Sequence, residues 1–144
     1  MKGQRLYKFE KLCSRSAVES VFAGGQSEKS YPLRAVFRTG DREAGGTPAR
    51  FLITIPKRKI RAAVDRALMR RRVREAYRLN RQYLLPSLRR CGKSVDIAFV
   101  YLDTRLTGYD IIESKMRSLL AKVAAAAEAQ EEPRPRTGPK AAPQ

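Results

Sequence analysis

The segment KRKIRAAVDRALMRRRVREAYRLNR, residues 57–81, carries eleven Lys or Arg and only two acids, Asp65 and Glu75. The chemistry these types offer is phosphate binding, because guanidinium groups make bidentate contacts to phosphate oxygens. Read as a helix at ~100° per residue, Arg70, Arg71, Arg74, Arg78 and Arg81 fall within an arc of roughly 100°. Met69, Val73, Ala76, Tyr77, Tyr83 and Leu84 gather on another arc. Like charges three or four residues apart destabilise a helix by about 0.2–0.5 kcal/mol per pair. A merely soluble helix would mix Glu among its cations. The sorted stripe therefore points to an external polyanion. Lys57, Arg58 and Lys59 precede the helix, where free N–H donors and the helix dipole add to the attraction for phosphate.

Protein-side catalysis has little material. The chain contains no His, which removes the commonest general base and metal ligand. No Gly-rich phosphate loop of the Walker type is present. Asp65, Glu75, Asp96 and Asp103 read as charge partners or surface groups rather than paired catalytic carboxylates. Neither a catalytic residue nor a metal-binding residue is assigned. Cys13 and Cys91 are too few and too far apart for a disulfide framework or a metal site.

The whole chain agrees with the stripe. It has 144 residues, 31 Lys or Arg, 14 Asp or Glu and a net charge of +17. That excess suits nucleic acid or an anionic membrane surface. Against the membrane, there is no Trp, no apolar run long enough to span, and the helix's apolar face is needed for a core. No secretory leader follows Met1, so a reduced, cytoplasmic setting is expected.

The elements that must position the stripe follow from periodicity. Ser16 and Glu19 have capping-box spacing before Val18, Val21 and Phe22, which predicts a short helix over about 15–23, ended by Gly24 and Gly25. YPLRAVFRTG alternates, with Leu33, Ala35 and Phe37 to one face and Arg34, Val36 and Arg38 to the other. DREAGGTP then leads into ARFLITIP, and a two-strand hairpin is the expected pairing. Pro86 is expected to end or kink the segment after the basic helix. SVDIAFVYL, residues 94–102, is apolar on both faces and reads as a central strand. A last helix has Asp110 and Glu113 at its start and Ile111, Ile112, Met116, Leu119, Leu120 and Val123 as its apolar stripe. From about residue 130 the Pro-rich, charged sequence reads as a disordered tail. The expected organisation is one α+β domain over 1–129, helix–strand–strand–helix–strand–helix, and a tail over 130–144.

IPKRKIRAAVDRALMRRRVREAYR resembles the signature of the bacterial ribonuclease P protein component. The matching positions are Arg58 and Lys59, Ala63 and Val64, then Arg66, Arg70, Arg71, Arg74 and Glu75. AVESVFAGG, with Phe22 on a family aromatic, and the DIAFVYL strand extend the resemblance over about residues 8–123. It implies a small α+β sandwich with a left-handed βαβ crossover, like domain 2 of ribosomal protein S5. It implies a subunit, one per catalytic RNA, that assists ribonuclease P RNA in removing the 5′ leader of precursor tRNA. Magnesium would be held mainly by that RNA. The RNA-binding residues would be Lys57, Arg58, Lys59, Arg61, Arg66, Arg70, Arg71, Arg74 and Arg78. A leader-binding cleft would take Val18, Phe22, Arg34, Val36 and Arg38. Three departures stand out: Val18 and Val36 occupy family aromatic positions, and Ala67-Leu68 replaces Asn-Arg. A ribosomal-protein-like structural RNA binder is the alternative. A DNA reader is disfavoured, because the arginine arc lacks an Asn or Gln to read adenine.

Overall fold

The computed structural model describes residues 15–41 and 48–131. In chain order the elements are α1 (Arg15–Gly24), β1 (Gln26–Ser30), β2 (Leu33–Asp41), β3 (Ala49–Thr54), α2 (Ala63–Asn80), a 3₁₀ turn (Arg81–Tyr83), α3 (Leu85–Cys91), β4 (Lys93–Tyr101) and α4 (Tyr109–Glu131). The class is the expected mixed α+β. The strands form one sheet in the order β1-β2-β4-β3. β4 is antiparallel to β2, with Phe37 opposite Ile97, and parallel to β3, with Phe51 opposite Ile97.

The pairing corrects the expected hairpin between β2 and β3. Those strands are not neighbours, because β4 lies between them. β2 instead turns through Tyr31 and Pro32 to pair with β1. The two-faced apolar character of β4 is satisfied by neighbours on both edges and helices on both faces.

One face of the sheet carries the main core. Leu33, Ala35, Phe37, Phe51, Ile97 and Phe99 meet Met69, Val73 and Tyr77 of α2 and Ile112, Met116 and Leu120 of α4. The Tyr77 ring lies 4.7 Å from Phe51 and 5.6 Å from Phe99, centroid to centroid. The opposite face carries a smaller cluster, in which Val21 of α1 packs on Val36 and Ala98, with Val18 and Leu52 alongside. The sheet thus separates α1 from α2 and α4.

Local differences have local causes. Ser16 lies inside α1 rather than before it, and Glu19 pairs with Arg15 at 3.3 Å. α2 ends at Asn80, before Pro86, and Pro86 falls in the first turn of α3, where its missing N–H costs nothing. The 3₁₀ turn shifts the side-chain phase. As a result Tyr83, expected in the core, is 50% exposed, and Arg81, expected on the stripe, is 5% exposed. Ile111 is exposed in the first turn of α4, whereas the rest of its expected stripe is buried. α4 includes residues 130 and 131, which were assigned to the tail; residues 132–144 lie outside the described residues. Cys13 lies outside them too, and the Cys91 thiol donates to the Ser87 carbonyl at 2.9 Å.

Gly25 is where α1 meets the sheet. Its N–H donates to the Val21 carbonyl at 2.9 Å. A Cβ here would lie 2.4 Å from the Val21 oxygen and 2.8 Å from the Phe37 oxygen, both backbone atoms. Gly25→Ala is therefore expected to cost about 1–3 kcal/mol through forced backbone displacement. Chemical denaturation would measure this, and unchanged stability would mean that α1 shifts without penalty.

Candidate nucleic-acid interface

α2 turns Met69, Val73, Ala76 and Tyr77 to the core. The side away from the core presents Ala63, Val64, Ala67 and Arg71, with Arg70, Arg74 and Arg78 partly exposed around them. Of the sequence-assigned cations on this side, Arg70, Arg71 and Arg74 make no hydrogen bond or ion pair with a described residue. Their guanidiniums are available to a ligand. Lys57, Arg58 and Arg61 are exposed in the segment that leads into α2, and Lys59 is half-buried there. The segment turns sharply, with the Lys59 and Ile60 N–H groups donating to the Pro56 carbonyl at 3.0 and 3.1 Å. At the N-cap, Ala62 makes no side-chain cap bond.

Two arginines of the expected set have work inside the protein. Arg66 donates to the carbonyls of Ile60 at 3.1 Å and Arg61 at 2.7 Å, tying the basic segment to the first turn of α2. Arg78 donates from Nε and an NH2 group to Glu75, at 3.0 and 2.5 Å. That bond, opposed by burial and reinforced by the charges of Arg78 and Arg74, holds the Glu75 carboxyl below the usual carboxylate range. Arg72, which lies off the stripe, donates to the Thr107 carbonyl at 2.6 Å and fastens the loop before α4. These roles make a direct prediction. Arg66→Ala should lower stability by about 1–2 kcal/mol as well as weakening ligand binding, whereas Arg71→Ala should stay within about 0.5 kcal/mol of the parent. Equal denaturation midpoints for the two variants would remove the structural role of Arg66.

The second cationic surface lies across the sheet. Arg34 and Arg38 are exposed on β2, flanking Val36. Arg34 Nε donates to Ser27 Oγ at 2.9 Å. Val36, expected to line a cleft, is instead buried beneath α1 with Val21, and Val18 packs against the same cluster. The valines at the two family aromatic positions therefore serve as packing beneath and beside α1. Phe22 is 48% exposed and is the one aromatic that α1 offers to a ligand. Sequence reasoning missed Arg50, which forms a two-pronged pair with Asp96, both contacts at 3.0 Å. Asp96 is opposite Arg38 on one side and Arg50 on the other. The alternation of β3 held the signal: Arg50 and Leu52 share the face opposite Phe51.

Among the described residues no group of three or more His, Cys, Asp or Glu could hold a metal ion, and no helix is long and apolar enough to cross a membrane.

A four-stranded sheet with an arginine-faced helix on one side and a smaller basic surface on the other defines a small, strongly cationic α+β domain. The family model for ribonuclease P matches residues 6–124. A ribonuclease P protein component from Porphyromonas gingivalis is 34% identical over 119 residues, covering 83% of this chain and 86% of that protein. The chain belongs to the ribonuclease P protein component family. Its fold is shared with the RNase P protein from Thermotoga maritima, with TM-score 0.61 and 21% identity over 78% of this chain and 96% of that one. A Staphylococcus aureus RNase P protein mutant with defective mRNA degradation activity matches with TM-score 0.60 and 16% identity, over 82% and 90% of the two chains.

Proposed function

We propose that this protein binds the catalytic RNA of ribonuclease P and the 5′ leader of precursor tRNA, and so assists RNA-catalysed endonucleolytic removal of the leader. The observation that carries the reading is the presence, in a member of this family, of two cationic surfaces on opposite faces of one sheet. The α2 surface is broad, arginine-rich and internally unpaired at Arg70, Arg71 and Arg74. It suits the closely spaced phosphates of a folded RNA. The β2 and α1 surface is narrower and adds the exposed Phe22 ring, on which one unpaired base can stack. It suits a single strand. The protein acts as one subunit per catalytic RNA, in the cytoplasm, and supplies no catalytic group of its own.

Magnesium held by the RNA would supply activation of the attacking water and charge stabilisation at the cleaved phosphate. The part of this chain is to neutralise neighbouring phosphates and hold the two RNAs in register. Guanidinium contacts replace condensed counterions, which lowers the ion concentration needed for assembly. The test is reconstitution with a ribonuclease P RNA and a precursor tRNA at low magnesium. Leader release that depends on the protein supports the reading. RNA binding with no gain in leader release would favour a structural RNA-binding role instead.

Ala67 gives a sharper expectation. It is exposed between Arg70 and Arg71 on one side and Ala63 on the other, and cannot hydrogen-bond through its side chain. Ala67→Asn restores the family amide at a helix-propensity cost of about 0.5 kcal/mol. A modest rise in cleavage rate at low magnesium is expected, with stability nearly unchanged. A fall in rate while the variant remains folded and RNA-bound would show that this chain has reorganised the position.

A further inference from the structure

β3 and β4 are parallel, so their C-terminal ends lie together, and antiparallel β2 begins at the same end of the sheet, with Leu33 opposite Tyr101. The turn through Tyr31 and Pro32, the basic segment after Thr54 and the loop over 102–108 that leads to α4 therefore meet there. The loop is tethered from several sides. The Leu102 N–H donates to the Pro32 carbonyl at 2.8 Å. The Tyr101 hydroxyl donates to the Arg105 carbonyl and lies 2.6 Å from the Thr107 hydroxyl. Arg72 of α2 donates to the Thr107 carbonyl at 2.6 Å, and the Arg105 N–H donates to the Asp103 carboxylate at 3.2 Å. Burial pushes the Tyr101 hydroxyl above its ordinary pKa, against the pull of the Thr107 bond, and the neighbouring Asp103 and Tyr31 add to the rise. Tyr31 thus stands close to the anchor of the loop. A segment that only connects two elements needs no such tethering, whereas a binding loop gains affinity from being ordered in advance.

What the tethers leave outside is apolar and cationic. Tyr31 is 53% exposed and Leu106 44%. Arg105 is exposed, and its guanidinium makes no hydrogen bond or ion pair with a described residue. Lys29, exposed on β1, is directly opposite Arg34 of β2 and extends the cationic face of that strand to the same end. Asp103 is the loop's one acid, and the Arg105 N–H engages it. An apolar patch among unpaired cations suits a polyanion with exposed apolar faces. Single-stranded RNA has that chemistry, because a free base stacks on an aromatic ring while its phosphate meets a guanidinium. In a duplex the bases are already stacked and leave the ring without a partner. We infer that the β1–β2 turn and the β4–α4 loop form a further contact site for the 5′ leader of precursor tRNA, with an unpaired base on Tyr31 and a backbone phosphate on Arg105. The inference rests on the leader-binding reading above and carries the strand past Arg34, off the β2 surface and around the end of the sheet. Arg72 ties this site to α2, next to the exposed Arg71, so the leader site and the arginine stripe keep a fixed spacing.

The test measures precursor tRNA affinity in the holoenzyme reconstituted with ribonuclease P RNA, using a full leader and leaders trimmed stepwise from the 5′ end. With the full leader, Tyr31→Ala should weaken binding at least about fivefold, the lower end for loss of one base–aromatic stack, and should leave the salt slope unchanged. Tyr31→Phe keeps the ring and should match the parent. Arg105→Ala should weaken binding about fivefold and flatten the salt slope by about 0.7, the single-strand value for one phosphate. All variants should keep the parent melting temperature, and both losses should vanish once the leader is trimmed short of the site. Losses that persist on the shortest leader would overturn the inference, as would equal losses in binding to ribonuclease P RNA without substrate. If Tyr31→Ala proves unstable, Arg105→Ala decides alone. Variants equal to a parent whose affinity depends on the leader would sink this site and leave the functional reading intact. A parent protein that adds nothing to precursor affinity would sink the functional reading and this inference with it.

Discussion

Replacing Arg70, Arg71 and Arg74 together with Ala is expected to weaken binding to ribonuclease P RNA by about a hundredfold near 0.15 M salt, if each charge-assisted contact contributes about 1 kcal/mol net. The dependence on salt is the more specific signature. Each neutralised phosphate contributes a slope of about 0.7–0.9 in log affinity against log salt, so three lost contacts should flatten the plot by about 2–3 units. The fold should survive. None of the three arginines has a hydrogen-bonded or ion-paired partner among the described residues, and Ala is the best helix former. Removing three like charges also relieves repulsion within the helix, so melting temperature should hold or rise slightly. A slope unchanged by the triple substitution, in a protein that still melts cooperatively, would take α2 out of the interface. Arg66 and Arg78 are poor members of such a set, because their loss would mix binding with structure.

That distinction was invisible in the sequence. All eleven cations between residues 57 and 81 look alike in one dimension. The helix period separated the stripe from the core and correctly placed Met69, Val73, Ala76 and Tyr77 inside. It could not show that Arg66 turns back to the carbonyls of Ile60 and Arg61, or that Arg72 crosses to Thr107. Both are tertiary contacts set by where the adjoining loops run. Periodicity also failed where the helix changed type. Arg81 and Tyr83 were assigned by continuing 3.6 residues per turn through a stretch that winds as a 3₁₀ turn, and each lands on the opposite side from that expected.

The sheet shows the same division. β4 was legible as central because Val95, Ile97 and Phe99 on one face and Ala98 and Val100 on the other leave no side for bulk solvent. Followed to its end, that reading places β2 and β3 on either side of β4 and excludes the hairpin between them. β1 gave no signal at all. QSEKS has no apolar alternation, and its ladder partners in β2 supply the apolar side chains for that edge. A short polar strand at an edge resists unwanted pairing, which is why its composition resembles a loop. On the candidate leader surface, Phe22 and the two exposed arginines of β2 were found by alternation and resemblance. The burial of Val36 depended on where α1 rests, and no single-strand pattern contains that information.

Tyr77→Ala should produce the largest loss of stability among these substitutions, about 3–5 kcal/mol. The side chain is fully buried and stands between Phe51 of β3 and Phe99 of β4, so its removal leaves a cavity at the seat of α2 on the sheet. Against a total of roughly 5–15 kcal/mol for a domain of this kind, that is a large fraction. Tyr77→Phe keeps both ring contacts and should cost no more than about 1 kcal/mol. The pair of variants separates packing from the hydroxyl, and thermal or chemical denaturation provides the comparison. RNA binding should follow the same seat. The arginine stripe projects from the other side of α2, so loosening Tyr77 should weaken RNA binding even at temperatures where most of the protein is folded, while the salt slope stays near the parent value because the cations are all present. A Tyr77→Ala protein that loses several kcal/mol yet binds RNA with unchanged affinity when folded would show that α2 is positioned for RNA by Arg66 near its start and Arg72 at its middle, and not by the ring that anchors its last turn.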